Sequence, residues 1–282
     1  MIDTDFLKQL DRFNLVLKKR VHSAYSGSRE ARNPGSGLVF RDYREYTQGD
    51  DFRKIDWRVY GRTNKYFIRR FEEERNLTLH IIVDASASMD FGKPKKKFEY
   101  ASMLGLGFAY IALKNNEKFE FTTFSDRLVP VKAKKGVNQI IAIIDSLNEA
   151  NLSGKSNLKD SLFSYKKLIK TKSMVVIISD FLFDLDELKE ALSRFKKHEV
   201  FLIQVLDPME WKFNLTGDYK LVDSESKFSI KTLISNRLRN KYKLALEEHI
   251  NEIKRFSDQI SAKYTCVTTD IDVFDSFYNV IG

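Results

Sequence analysis

Leu77-Thr78-Leu79-His80-Ile81-Ile82-Val83-Asp84-Ala85-Ser86-Ala87-Ser88 is the stretch on which the fold turns. Residues 77–83 are an apolar run of strand length with a β-branched finish, and Asp-x-Ser-x-Ser follows at once. In open α/β sheets, ligands gather beyond the carboxyl ends of the strands. An Asp-x-Ser-x-Ser run in that place puts a carboxylate and two hydroxyls on one side of a tight loop. Mg²⁺ and Mn²⁺ favour oxygen ligands, and Mg²⁺ keeps several waters. Short Ser and Asp side chains leave room for those waters and for an outside ligand. His80 sits inside the apolar run with no second His or Cys near it in sequence, so it reads as a core histidine rather than a ligand.

The pattern downstream is an alternation of strands and helices. Residues 98–114 are apolar nearly all round, with Gly105 and Gly107 permitting close approach, which predicts a buried helix. Residues 119–125 alternate, as expected of a strand nearer the sheet edge, and 128–132 follow as an antiparallel partner. Helices are expected over 137–147, 157–169 and 186–197. Residues 174–179 and 200–206 are unbroken apolar runs, the mark of parallel strands covered on both faces. Residues 219–231 read as a hairpin or excursion. A long helix over 233–262 has Leu238, Tyr242, Ala245, His249, Ile253, Phe256 and Ile260 as its apolar face. A last strand (264–269) and short helix (273–280) close the chain. The expected fold class is α/β, a doubly wound, mostly parallel sheet over 77–282.

Residues 1–76 read as a separate module. Residues 5–20 form an expected helix with Phe6, Leu10, Phe13 and Leu17 on one face, and a loop rich in Ser, Gly and Pro follows. Residues 39–76 carry ten Lys/Arg against eight Asp/Glu, with nine aromatics interleaved. A nucleic-acid surface would be one-sided in charge. A balanced set implies either an internally paired brace or a charged contact surface, with Arg41, Arg44, Asp50, Asp51, Arg53, Asp56 and Trp57 as partner-surface candidates.

Two further strand ends join the Asp84 loop. Asp180 ends the 174–179 strand, and Ser156 stands in Ser153-Gly154-Lys155-Ser156-Asn157-Leu158 just before a helix. Together these residues resemble the metal-ion-dependent adhesion site of von Willebrand factor A domains. The resemblance implies that Ser86, Ser88 and Ser156 touch Mg²⁺ (or Mn²⁺) directly. It implies that Asp84 and Asp180 act largely through water, and that a protein partner supplies a carboxylate as the last ligand. Ser156 stands where that superfamily usually has Thr, and Phe181 where it often has Gly.

A closer resemblance extends upstream. Phe40-Arg41-Asp42-Tyr43-Arg44-Glu45-Tyr46, Gly49-Asp50-Asp51-Phe52-Arg53-Lys54-Ile55-Asp56-Trp57 and Arg69-Arg70-Phe71-Glu72-Glu73-Glu74 occur in order. They resemble the prokaryotic family catalogued as domain of unknown function 58, which sets such a module before a von Willebrand factor A-like domain. Members commonly accompany MoxR-type AAA+ ATPases. The implied function is a metal-dependent protein-interaction module, an adaptor or chaperone-like partner of such an ATPase, and not an enzyme. The alternative is a metal-dependent hydrolase or nuclease acting through Asp84 and Asp180.

Other chemistries are excluded by the residues. Gly154-Lys155-Ser156 resembles the tail of a P-loop, but the earlier Gly that the loop requires is Glu149. No Gly-x-Ser-x-Gly elbow occurs. Cys266 is the single cysteine, which forbids an internal disulfide and makes a reducing compartment the expectation; it reads as a small core residue. Met1–Phe6 lack the basic start and apolar run of a signal peptide, and no segment is apolar enough to span a membrane, so a cytoplasmic chain is expected. The net charge of +9 comes from dispersed lysines (93, 95–97, 132, 134, 135, 166, 167, 170, 172), which read as solvated faces; nucleic acid is not an expected partner.

Overall fold

The computed structural model of the chain describes residues 6–11, 39–72, 78–131, 136–152, 154, 157–225 and 227–281. It divides into two compact units, one of residues 1–17 with 77–282 and the other of residues 18–76. The division differs from the expected break at residue 76. Among the N-terminal residues, Phe6 and Leu10 are buried, Phe6 lies against Phe274, and Lys114 pairs with Asp11 at 2.8 Å. The helical residues 6–11 therefore go with the α/β unit, because their apolar side chains are buried within it.

The α/β unit is built on a six-stranded sheet. Its strands are β3 (Leu79–Asp84), β4 (Phe119–Phe124), β5 (Leu128–Pro130), β6 (Met174–Ser179), β7 (Glu199–Leu206) and β10 (Lys263–Thr268). Their order is β10-β7-β6-β3-β4-β5, all parallel except β5, which returns antiparallel on β4 at the edge. From β3 the chain moves one way to β4, then crosses back to place β6 on the other side of β3. The strand order therefore reverses between β3 and β6, and that is where an open α/β sheet opens a crevice at its carboxyl edge.

The strands are apolar on both faces because helices cover both. Every residue of β3 and β6 is buried. Each fully buried Val or Ile side chain contributes about 1.5–3 kcal/mol, so the two strands that carry Asp84 and Asp180 are among the most firmly held. The expected buried helix is α2 (Lys97–Lys114). A Cβ on Gly107 would come within 2.8 Å of the Phe277 ring, and one on Gly105 within 3.0 Å of the Phe121 ring, so both glycines serve close approach. Helices α3 (Val137–Asn148) and α8 (Val273–Ile281) pack beside α2. Helices α4 (Leu158–Lys166) and α5 (Leu185–Ser193) pack against each other, and α5 against the long helix α7 (Asn236–Gln259). Ile82, Ile177, Leu202, Leu162, Leu192 and Ile253 form one apolar cluster there.

Helix α7 starts at Asn236, later than the sequence predicts, because Ser235 accepts from Leu238 N–H and caps it, while Leu233 and Ile234 finish a strand. Its inward face is the expected one but for a single position: Leu238, Tyr242, His249, Ile253, Phe256 and Ile260 are buried or half-buried, while Ala245 is exposed and its neighbour Leu246 is buried. The expected hairpin is β8 (Gly217–Val222) paired antiparallel with β9 (Ser229–Ile234), reached through the short helix α6 (Pro208–Lys212). No helix among the described residues is long and apolar enough to cross a membrane.

The smaller unit, as described, is a ribbon of β1 (Val39–Glu45) against β2 (Phe67–Glu72), antiparallel and bulged between Phe40 and Asp42. Between the strands lie a 3-10 turn (Phe52–Lys54) and helix α1 (Trp57–Thr63), capped by the Asp51 and Asp56 side chains. Tyr60 stacks on Tyr66, and Trp57 meets both edge-on.

Candidate functional site

The loop that follows β3 is folded by its own aspartate. Asp84 Oδ1 accepts from the Ser86 N–H at 2.9 Å, and Ala87–Met89 then make a 3-10 turn. That turn brings the Ser86 and Ser88 hydroxyls to 3.1 Å from each other. The neighbouring strand end supplies a second tie, since the Ser179 hydroxyl donates to Asp84 Oδ2 at 2.6 Å. A third loop joins through the backbone: Ala87 N–H donates to the Gly154 carbonyl at 3.3 Å. Ser156, the expected third hydroxyl ligand, lies outside the described residues.

Asp84 is fully buried. Burial pushes its carboxyl up to about 7, and the nearby Asp180 carboxylate adds to the rise, against the Ser179 and Ser86 hydrogen bonds, which lower it. Burial thus favours the protonated form of Asp84, and only a positive charge brought close would favour the carboxylate.

The hydroxyl pair fits an octahedral ion. The Ser86 and Ser88 hydroxyls are hydrogen-bonded to each other at 3.1 Å, a separation that two adjacent ligands of an ion with bonds of about 2.0–2.1 Å would also have. The donor set is hydroxyl and carboxylate oxygen, with no group of three or more His, Cys, Asp or Glu suited to a metal among the described residues. Such a set suits Mg²⁺ or Mn²⁺ with retained water, not zinc.

Asp180 comes to the same strand end but is held differently. Its Oδ2 accepts from Lys97 Nζ at 2.8 Å and its Oδ1 from the Leu182 N–H at 3.1 Å. Gln204 Nε2 donates to the Asp180 carbonyl at 2.6 Å, and the Tyr264 hydroxyl donates to Gln204. Lys97 Nζ also donates to Glu210 Oε1 at 2.6 Å. Burial works against the Lys97 charge, but the Asp180 and Glu210 carboxylates outweigh it and hold its pKa above the ordinary lysine value. Glu210 stands above the usual carboxylate range because it is desolvated. Each Asp180 carboxylate oxygen thus accepts a hydrogen bond, one from Lys97 and one from the Leu182 N–H.

Lys97, Ser179 and Glu210 are the site residues that sequence reasoning passed over. Lys97 belongs to the run Lys93–Lys97, which reads as solvated. The signal was its spacing: it precedes Tyr100, Ala101 and Leu104 on the buried stripe of α2. Glu210 was visible as the fourth residue of Asp207-Pro-Met-Glu, a capping box that the structure forms, Glu210 Oε2 accepting from the Asp207 N–H at 2.9 Å. Its second bond, to Lys97 across 113 positions of chain, has no local signature.

The aspartates among the partner-surface candidates of the smaller unit are engaged locally. Arg44 meets Asp50 at 2.7 Å, and Asp50 also accepts from the Thr47 N–H at 2.9 Å. Asp51 accepts from the Arg53 N–H, while Asp56 caps α1 and meets Arg69 at 3.1 Å. Arg53 and Trp57 are exposed. The Arg41 side chain lies outside the described set. His80 meets the Tyr165 hydroxyl at 3.0 Å in the core, as its place in an apolar strand predicts, and Cys266 is half-buried with its thiol pushed up to about 11 by burial.

Comparison with known proteins places this geometry in context. The family model described as protein of unknown function DUF58 matches residues 42–252. An uncharacterized protein of Mycobacterium bovis and one of Mycobacterium tuberculosis are each 26% identical over 276 residues, covering 96% of this chain and 87% of the relative. Among solved structures, the conserved hypothetical protein BatB of Bacteroides thetaiotaomicron superposes with a TM-score of 0.45 at 12% identity, covering 73% of this chain and 97% of that one. An aerotolerance-related membrane protein of Bacteroides fragilis gives a TM-score of 0.42 at 14% identity, covering 73% and 98%.

Proposed function

The chain belongs to the DUF58 family, and we propose that it is a protein-docking module whose β3 strand end grips a partner carboxylate through a divalent cation. The observation that carries this reading is the Ser86–Ser88 hydroxyl pair at 3.1 Å beside the buried Asp84. Ser86 and Ser88 would hold Mg²⁺ or Mn²⁺, with Ser156 as the expected third hydroxyl and Asp84 and Asp180 acting through water. The ion supplies positive charge and a coordination position open to an outside oxygen. The chain's own residues set the geometry: Asp84 folds the serine turn, and Ser179 fixes the Asp84 carboxylate.

The surroundings support a protein as the ligand's source. Phe91 follows β3, Leu182 follows β6, and Met209 and Trp211 follow β7, and all four are exposed. Large apolar side chains left in water on the loops of one sheet edge are the kind of feature a partner protein covers. The upstream motifs, which carry the family resemblance, make a MoxR-type AAA+ ATPase the proposed partner.

The test is a titration of the immobilised chain with the MoxR-type ATPase of its own genome, in Mg²⁺ and in EDTA. Affinity is expected to fall at least about tenfold, some 1.4 kcal/mol, in EDTA or on Asp84→Ala. Equal binding in both buffers and by both proteins would overturn the reading.

A further inference from the structure

Lys97 is the most deeply buried lysine of the described chain, with 0% of its surface exposed, and it stands where three loops of the sheet edge meet. Its ammonium lies 2.8 Å from Asp180 after β6, 2.6 Å from Glu210 after β7, and 5.9 Å from the centroid of the Phe91 ring after β3. Both carboxylates are themselves largely shielded, with 1% and 18% of their side chains exposed. Lysine is rarely buried without a reason, because removing an ammonium from water costs several kcal/mol unless opposite charges surround it.

The arrangement has the form of a cation site. Carboxylate oxygens from two loops converge on one positive charge, and an aromatic face covers it. From this we infer that the Lys97 ammonium is a tethered cation, which holds the Asp180 and Glu210 loops together without a metal. Asp180 is thereby committed to Lys97 through one oxygen, so that any ion held by Ser86 and Ser88 meets it only through water. The inference concerns Asp180 and Glu210, and it does not require that the serine pair bind metal.

The experiment compares wild type, Lys97→Met, Glu210→Gln, Lys97→Arg and the double variant Lys97→Met/Glu210→Gln. Unfolding midpoints are measured in EDTA and in excess Mn²⁺, and Mn²⁺ affinity by the paramagnetic resonance signal of the free ion. In EDTA, Lys97→Met is expected to melt below wild type and the double variant to regain part of that loss, since it removes one of the two unbalanced carboxylates. Mn²⁺ is expected to raise the Lys97→Met midpoint more than that of wild type, with affinity tightened about tenfold or more, because Asp180 and Glu210 are left without their ammonium. Lys97→Arg, which keeps the charge, is expected to bind Mn²⁺ as wild type does.

The inference is overturned if Lys97→Met melts with wild type in EDTA, or if Mn²⁺ lifts both equally. Losses from Lys97→Met and Glu210→Gln that simply add would also overturn it. Should Lys97→Met fail to fold in EDTA, recovery with Mn²⁺ or in the double variant supports the inference, and failure of both defeats it. A wild type indifferent to Mn²⁺ beside a responsive Lys97→Met would end the metal-docking proposal and leave the tethered cation standing.

Discussion

The charged module and the β3–β6 strand end use the same side chains in opposite ways. In the module, Asp50 is half-buried, accepts from the Thr47 N–H and pairs with Arg44, and its carboxyl falls to about 2. Asp56 is buried, which works to raise it, but the Arg58 and Val59 N–H groups and Arg69 outweigh this and hold it low. At the strand end, Asp84 is sealed from water and its carboxyl rises to about 7. Carboxylates with backbone N–H donors and an arginine partner act as caps and braces, whether half-buried like Asp50 or buried like Asp56. Asp84, sealed from water and facing Asp180, is instead pushed toward its neutral form.

The largest test of this contrast is Asp180→Ala. It leaves Lys97 buried beside Glu210 alone, and breaking a buried pair in this way costs about 3–5 kcal/mol, measurable by urea unfolding. A loss within the range of exposed pairs, under about 1 kcal/mol, would erase the distinction from the module.

The next effect is in pH, and its sign differs between the regions. Native Asp84 keeps its proton up to about pH 7, whereas the unfolded carboxyl releases it near 4. The native state binds the extra proton in that window, so the Asp84 contribution to stability falls as pH rises from about 4 to about 7, then levels off. The gap between wild type and Asp84→Asn in metal-free urea melts is expected to change across that window and to be constant above it. For Asp50 the folded value lies below the unfolded one, so its contribution is present above about pH 4 and is lost toward pH 2. An Asp50→Asn difference curve is expected to be flat from pH 5 to 8. Parallel curves for Asp84→Asn and wild type would contradict the account.

The smallest stability effects belong to the exposed module residues. Trp57→Ala and Arg53→Ala are expected to leave the melting midpoint almost unmoved, since both side chains face water. If the module is part of the partner surface, the same variants weaken binding of the MoxR-type ATPase. Unchanged binding would make the module a brace only.

Much of this organisation was legible in the chain. The unbroken apolar runs at 174–179 and 200–206 predict buried parallel strands, and β6 and β7 are such strands. Asp-x-Ser-x-Ser and Asp180 were readable because each ends a strand, and a strand end fixes a place in space. Lys97 and Glu210 were not readable as a pair, because their contact depends on how loops after two separated strands meet. The expected face of α7 missed at Ala245 alone, because Ala245 and Leu246 are adjacent apolar residues and a periodic pattern permits either as the inward one. Its start was off because Leu233 and Ile234 suit a helix and a strand alike, and only the Ser235 cap decides. Phe6 and Leu10 promised a helix with one apolar face, but periodicity does not say which unit that face joins.

The most direct measurement is thermal unfolding of wild type and Asp84→Ala with and without excess Mg²⁺ or Mn²⁺. A ligand of the native state stabilises it by mass action, by about 2.7 kcal/mol at a hundredfold excess over the dissociation constant. The account predicts a midpoint that rises with metal in wild type and stays fixed in Asp84→Ala. No rise in wild type, or an equal rise in both proteins, would contradict it.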